Sequence, residues 1–398
     1  MIKLKQICLV FMALTLLTSG CNLSKQSGEA NRIHPRQVSN QQSAHPEVVP
    51  MKSRGRVLPD KRGENTLQAK KNKTRIETIG YLEPVSPVQA VSDVNETAKN
   101  LTYVGFFSYR VQHNGDLIPL NDTASLKATR HNNAIPMLVI TNFANGNFQP
   151  DIAHRIFTDQ VVSRRLINNV IQVMKQKGYR ALNVDFEHIR EKDRQLYNGF
   201  LATLLPRVKK EGFLVSTALA PKSSDKQAGP WHGAHDYAFH GKIADFVILM
   251  TYEWGWTGGP PMAVAPLPQV RKVVDYAVSK ISPNKIIMGA PLYGYDWILP
   301  YRKGGPPAKR VSPQEAAAFA YRKSLKIQYN NRDQAPYYYY TDNSGKKHVV
   351  WFENEQSAQA KFNLIKEYRL RGISYWVLGE DFPQNWKLLR DNFIIQKY

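Results

Sequence analysis

The stretch Tyr179-Arg-Ala-Leu-Asn-Val-Asp-Phe-Glu-His-Ile189 alternates Asn183, Asp185 and Glu187 with Leu182, Val184 and Phe186. Successive side chains of a strand point to opposite faces, so three polar groups share one side and three hydrophobes the other. Burying Asn183 and Asp185 beside hydrophobes is costly unless they are hydrogen-bonded. An Asp-x-Glu pair by itself arises by accident in a chain with 32 acidic residues, but two inward polar groups below it do not.

Around this strand, apolar runs and amphipathic helical patterns take turns. Arg75–Tyr81, Thr102–Ser108, Ile135–Asn142, Leu214–Leu219, Phe246–Thr251, Lys285–Ala290 and Gly372–Leu378 read as buried strands. The helical patterns include Gln160–Lys177, with Val162, Leu166, Val170 and Val173/Met174 on one face, and Lys192–Lys210, with Leu196, Phe200, Leu204 and Val208. Val270–Lys280 and Glu355–Leu370 are two more, the latter followed by Gly372 in the place of a C-cap. Eight strands with helices between them predict an α/β fold, a (β/α)8 TIM barrel, although an open doubly wound sheet has the same alternation. No Gly-x-Gly-x-x-Gly turn follows the first strand, which argues against the nucleotide-binding alternative.

Between strands seven and eight, residues 300–353 read as a small α+β insertion. Ser312-Pro313-Gln314-Glu315 is a capping box with Pro at the first helical position, and Tyr337–Thr341 with His348–Phe352 reads as a hairpin around Asn343-Ser344-Gly345. In a barrel of this kind the reactive groups gather at the carboxyl ends of the strands. Glu187 is then at the mouth and Asp185 one layer deeper.

Composition bounds the setting. The 398 residues are 42% hydrophobic and 11% aromatic, as in a globular chain, and carry a formal charge of +22. Lys3 and Lys5, the apolar run Ile7–Leu17 and Thr18-Ser19-Gly20-Cys21 form a secretory signal over 1–20. Gly20-Cys21 resembles a bacterial lipobox, which makes Cys21 the expected lipidation site and the membrane an expected partner through a lipid anchor. Residues 21–75 hold 12 Lys and Arg against 4 Asp and Glu and no aromatic residue, and read as a basic, disordered tether. The only other cysteine, Cys8, lies in the signal, so the processed chain has no internal disulfide. A basic chain outside the cytoplasm favours anionic polymers and lipid head groups, and the signal argues against nucleic acid as the partner.

Three ordered motifs carry a resemblance. Asn183-Val-Asp185-Phe-Glu187 resembles the end of the Asp-x-x-Asp-x-Asp-x-Glu signature of glycoside hydrolase family 18. Met250-Thr-Tyr252-Glu253-Trp254 is similar to the family's strand-six Met-x-Tyr-Asp motif, and Trp376 to the tryptophan closing strand eight. Residues 76–398 look like the branch that includes spore-cortex peptidoglycan N-acetylglucosaminidases of bacilli, notably over Trp231–Trp256, Gly289–Trp297, His348–Phe352 and Phe382–Trp386. The signature's first two Asp positions hold Arg180 and Asn183, the strand-six Asp is Glu253, and the strand-three Ser-x-Gly-Gly motif is absent around Ile140–Phe143.

The resemblance implies an exported glycosidase cutting β-1,4 bonds after N-acetylglucosamine by a substrate-assisted, retaining mechanism. Glu187 is then the acid and base. Asp185 and Tyr252 hold the substrate's acetamido group, Asn183 orients Asp185, and Trp376 is the floor under the reacting sugar. Met250, Glu253, Trp254, Tyr293 and Asp296 are candidate cleft residues. No cofactor is expected, nor any metal: His232-x2-His235-x4-His240 matches no metal-binding spacing. The alternatives are a chitinase or endo-N-acetylglucosaminidase acting on other glycans, and a non-catalytic glycan-binding barrel.

Overall fold

A computed structural model describes residues 73–398; the expected signal, the tether up to residue 72 and Cys21 lie outside the described residues. Eight strands form the barrel: β1 (Thr74–Leu82), β2 (Tyr103–Val111), β3 (Ile135–Thr141), β4 (Ala181–Asp185), β5 (Leu214–Leu219), β6 (Phe246–Leu249), β7 (Ile286–Pro291) and β8 (Gly372–Trp376). Each pairs in parallel with its neighbour in chain order. The β1–β8 pairing closes the ring, with Glu77 opposite Gly372. The open doubly wound alternative is thereby excluded. A closed parallel sheet hides one face inside the barrel and needs helices over the other, and the alternating hydrophobes meet that need. Leu182, Val184 and Phe186 point outward into the layer shared with Leu166, Val170, Phe200 and Leu204.

Local chemistry sets the helix ends. Asp159 caps Gln160–Lys177 by accepting the amides of Val161 and Val162, and Gly178 ends it at φ 73°. The Ser312–Glu315 capping box opens Pro313–Arg322. Helix Glu355–Tyr368 departs from the expectation: its left-handed terminal residue is Arg369, at φ 52°, and Gly372 is the first residue of β8. Gly372 answers a packing demand instead, since a Cβ there would sit 1.7 Å from the Glu77 carbonyl oxygen.

The insertion is a five-stranded antiparallel sheet in the order Lys309–Val311, Gly294–Leu299, Lys347–Trp351, Ala335–Thr341, Gln328–Asn330. Its first strand starts at Gly294, ahead of residue 300, because the chain leaving β7 joins the new sheet within three residues of Pro291. The helix Pro313–Arg322 packs on it through Ala316 and Ala320 against Tyr338, Val350 and Phe352.

Inside the barrel the floor is aromatic and charged. Arg371 donates to both oxygens of Glu77, at 2.7 and 2.6 Å, and its guanidinium lies 4.8 Å from the Phe246 ring centre. Ile79, Met137, Val139, Ile248 and Ile287 fill the middle. Above them the lining turns polar.

Candidate active site

Ala181, Asn183 and Asp185 point into the barrel, as the period of two requires. Asn183 is fully buried; its Nδ2 donates to the Tyr81 hydroxyl at 3.0 Å, and its Oδ1 is 3.1 Å from Ser216 Oγ. Its expected role as a direct orienter of Asp185 is therefore not what the structure places there. The amide is held between β1 and β5, and it orients Tyr81.

Asp185 is 5% exposed, and its Oδ1 has no hydrogen-bond partner among the described residues. Burial without a cation pushes its carboxyl up to about 7. Glu187, one pleat further out, keeps part of its surface open at the mouth. Asn142, at the end of β3, fixes its backbone twice, accepting the Glu187 amide at 2.9 Å and donating to the Glu187 carbonyl at 2.8 Å. The Trp231 indole donates to Glu187 Oε2 at 2.6 Å. Desolvation, then the Asp185 charge, raise the Glu187 carboxyl well above the usual carboxylate range, with Glu253 adding to the rise and Trp231 opposing it. The Asp185 charge works against ionising Glu187 as well, so the pair resists a double negative charge near neutrality.

Tyr252 closes the same site from the end of β6. Its ring rests on Gly289 of β7, where a Cβ would be 2.8 Å from Tyr252 Cε1. Trp376, the last residue of β8, meets Phe107 edge-to-face at 4.7 Å and Tyr81 at 5.7 Å. Glu253, at φ 67°, turns its carboxylate to the Tyr293 and Tyr295 hydroxyls, the second at 3.0 Å. Trp254 is partly buried and its amide bonds the Val264 carbonyl at 3.1 Å.

Met250 is 4% exposed and packs in the same large hydrophobic cluster as Tyr252. Asp296 serves elsewhere. Both oxygens of Asp296 are taken within the inserted sheet, by the Tyr340 hydroxyl at 2.6 Å and His348 Nδ1 at 2.8 Å. His232, His235 and His240 form no metal-holding cluster among the described residues. His235 Nδ1 accepts the Ala220 amide at 2.7 Å, so its Nε2 donates to the Phe186 carbonyl at 3.1 Å, tying the β5 end to the segment that carries Glu187. Burial pushes this imidazole down to about 4, which keeps it neutral.

Sequence reasoning missed Asn142, Tyr81 and the Trp231 contact. Asn142 stood at the end of an expected strand and Trp231 opened a stretch that carried the resemblance, but nothing local indicated what either would touch.

A closed (β/α)8 barrel with two inward acids at the carboxyl end of β4, an aromatic floor and a tyrosine beside them is the site of a glycoside hydrolase. The profile of glycosyl hydrolases family 18 matches residues 77–381, and the chain belongs to that family. It is 47% identical over 331 residues to the cortical fragment-lytic enzyme of Bacillus subtilis (strain 168), covering 82% of this chain and 76% of the relative. Among solved structures, the spore cortex-lytic enzyme SleL of Bacillus cereus superposes with a TM-score of 0.80 at 43% identity, and that of Bacillus megaterium QM B1551 with 0.78 at 46%. Each comparison covers 82% of this chain and 76% of the other.

Proposed function

We propose that this enzyme hydrolyses β-1,4 bonds after N-acetylglucosamine in spore-cortex peptidoglycan, with retention, using the substrate's own 2-acetamido oxygen as nucleophile. The observation that carries the mechanism is the placement of the two acids. Asp185 ends β4 and Glu187 follows two residues later at the same strand end, an arrangement that supports both acids meeting a bound sugar from one side rather than across the bond. An enzyme nucleophile facing a separate acid needs the second arrangement.

Glu187 gives its proton to the glycosidic oxygen as the C1–O bond breaks. The acetamido oxygen closes on C1 and forms an oxazolinium ion. Asp185, with an oxygen unpartnered and its charge uncompensated, accepts the acetamido N–H and stabilises that cation. Tyr252 donates its hydroxyl to the acetamido oxygen, and Trp376 stacks under the sugar. Glu187, now ionised, takes a proton from water as it attacks C1 and opens the ring. The cortex substrate rests on the relatives, which are named for lysis of cortex or its fragments, and the basic chain agrees with an acidic wall polymer.

Digestion of purified cortex, vegetative peptidoglycan and chitin oligomers by the full chain tests this, with Glu187→Gln as control and products read by mass spectrometry. New N-acetylglucosamine reducing ends from cortex, absent in the control, are expected. Cleavage of chitin alone would move the enzyme to the chitinase reading, and binding without products to the glycan-binding one. Export and anchoring through Cys21 are part of the same proposal, resting on the signal-like N-terminus. Cys21→Ala should release the protein from the membrane fraction; retention of the variant there would rule out the anchor.

A further inference from the structure

We propose that Trp231 is a positioning residue for the general acid: its indole N–H occupies Glu187 Oε2 and so assigns the transferable proton to Oε1. The inference rests on the acid role of Glu187 proposed above. The contact is short, at 2.6 Å, and joins residues 44 apart in sequence. An indole can only donate, so the oxygen it meets is held as an acceptor.

The loop that presents Trp231, residues 220–236, is anchored at its base and braced at its tip. Tyr237 donates its hydroxyl to the Ala220 carbonyl at 2.6 Å and accepts the Lys222 amide at 3.1 Å. Lys222, with a wholly buried side chain, reaches the His235 carbonyl at 3.2 Å. His235 spans from the Ala220 amide to the Phe186 carbonyl, one residue before the acid. Near the tip, Gly233 lies against Glu191, where a Cβ would be 2.5 Å from Glu191 Cγ. Trp231 also lies nearly parallel to His188, at 6.3 Å and 10°, and His188 holds φ 53° directly after Glu187. Loop and catalytic strand thus hold each other's geometry on both sides of the carboxyl.

The groups around that carboxyl are Asp185 before it, Tyr81 from β1, Tyr252 and Glu253 after β6, and His188 and Trp231 at the mouth, with His232 beside the Trp231 ring. Of those acting on Glu187, Asp185 and Glu253 push its proton affinity up and Trp231 brings it down.

Replacing Trp231 by benzothienylalanine keeps the ring shape and deletes only the N–H, and Trp231→Phe is the natural-residue counterpart. In the full chain, selectively 13C-labelled at glutamate carboxyls, the Glu187 signal is identified by its loss in Glu187→Gln. We expect its titration to move up by about one pH unit in both Trp231 variants, with the thermal midpoint of the isosteric variant unchanged. On cortex fragments, kcat should fall about tenfold, KM should stay near its original value and the alkaline limb should move up with the carboxyl. An unmoved Glu187 titration in the isosteric variant would overturn the proposal, whatever happened to turnover. If the wild-type chain cleaves no substrate, the acid role fails, and the carboxyl titration still reports whether Trp231 controls this proton.

Discussion

The barrel buries a carboxylate at each end and treats the two in opposite ways. At the amino end Glu77 meets the Arg371 guanidinium through both oxygens and the Tyr398 hydroxyl as well. At the carboxyl end Asp185 is equally buried, has no arginine or lysine paired with it among the described residues, and stands beside a second acid. The first arrangement is complete and holds the ring closed between β1 and β8. The second is incomplete, and under the proposed mechanism an acetamido group and a developing cation would complete it. Stability and catalysis ask opposite things of the same functional group, and the fold separates them by the length of a strand.

The largest expected effect lies at the mouth. Glu187→Gln should lower kcat by about 10³-fold or more with an unchanged fold, measured on cortex fragments, because the proposed mechanism assigns protonation of the leaving oxygen to Glu187. Asp185→Asn should cost about 10²-fold in kcat. The same substitution should raise stability at pH 8, by roughly 2 kcal/mol in chemical unfolding, since it removes an unpaired buried charge. The sign follows from the raised carboxyl: folding is disfavoured once Asp185 must ionise. The variant's advantage is thus full above about pH 7 and fades as pH falls towards 4.

Glu77→Gln should do the reverse. It leaves Arg371 without its anion and should cost about 3 kcal/mol of stability while kcat is unchanged at temperatures where the variant is folded. A fall in kcat with no loss of stability would break the contrast between the two ends.

Smaller effects sharpen the upper site. Gly289→Ala puts a methyl 2.5 Å from the Leu249 carbonyl and 2.8 Å from the Tyr252 ring. It should displace the tyrosine and lower kcat about tenfold more than it raises KM. Glu253→Gln removes a charge that lifts the Glu187 carboxyl. The alkaline limb of kcat/KM should then move to lower pH by a few tenths of a unit, and a shift to higher pH would contradict the assignment.

The barrel was legible because its signal is local. A period of two in β4 and amphipathic faces on the flanking helices are read within a dozen residues, and each states which side must be covered. Asp185, Glu187, Tyr252 and Trp376 could be placed at the mouth because strand ends map directly to the barrel's carboxyl face. Asp296 could not be judged in this way. It lies near the end of β7 in sequence, but its carboxylate is spent on Tyr340 and His348 inside a sheet whose strands are far apart in the chain. Gly372 was misread for a related reason: a glycine after a helix resembles a cap, and only the approach of Glu77 from the other end of the chain explains it.

The amino-acid order by itself determined the alternation of strands and helices, the inward direction of Asn183 and Asp185, and the pairing of an acid with a deeper carboxylate. Each of those depends on backbone periodicity and the cost of burying polar groups, which act over a few residues. Tertiary structure alone decided that Asn183 bonds Tyr81 across 102 residues, that Arg371 neutralises Glu77 across 294, and that no lysine or arginine among the described residues pairs with Asp185. The proton affinities at the mouth depend on those distant neighbours, because a buried charge is governed by whatever the closed barrel brings within a few ångströms of it.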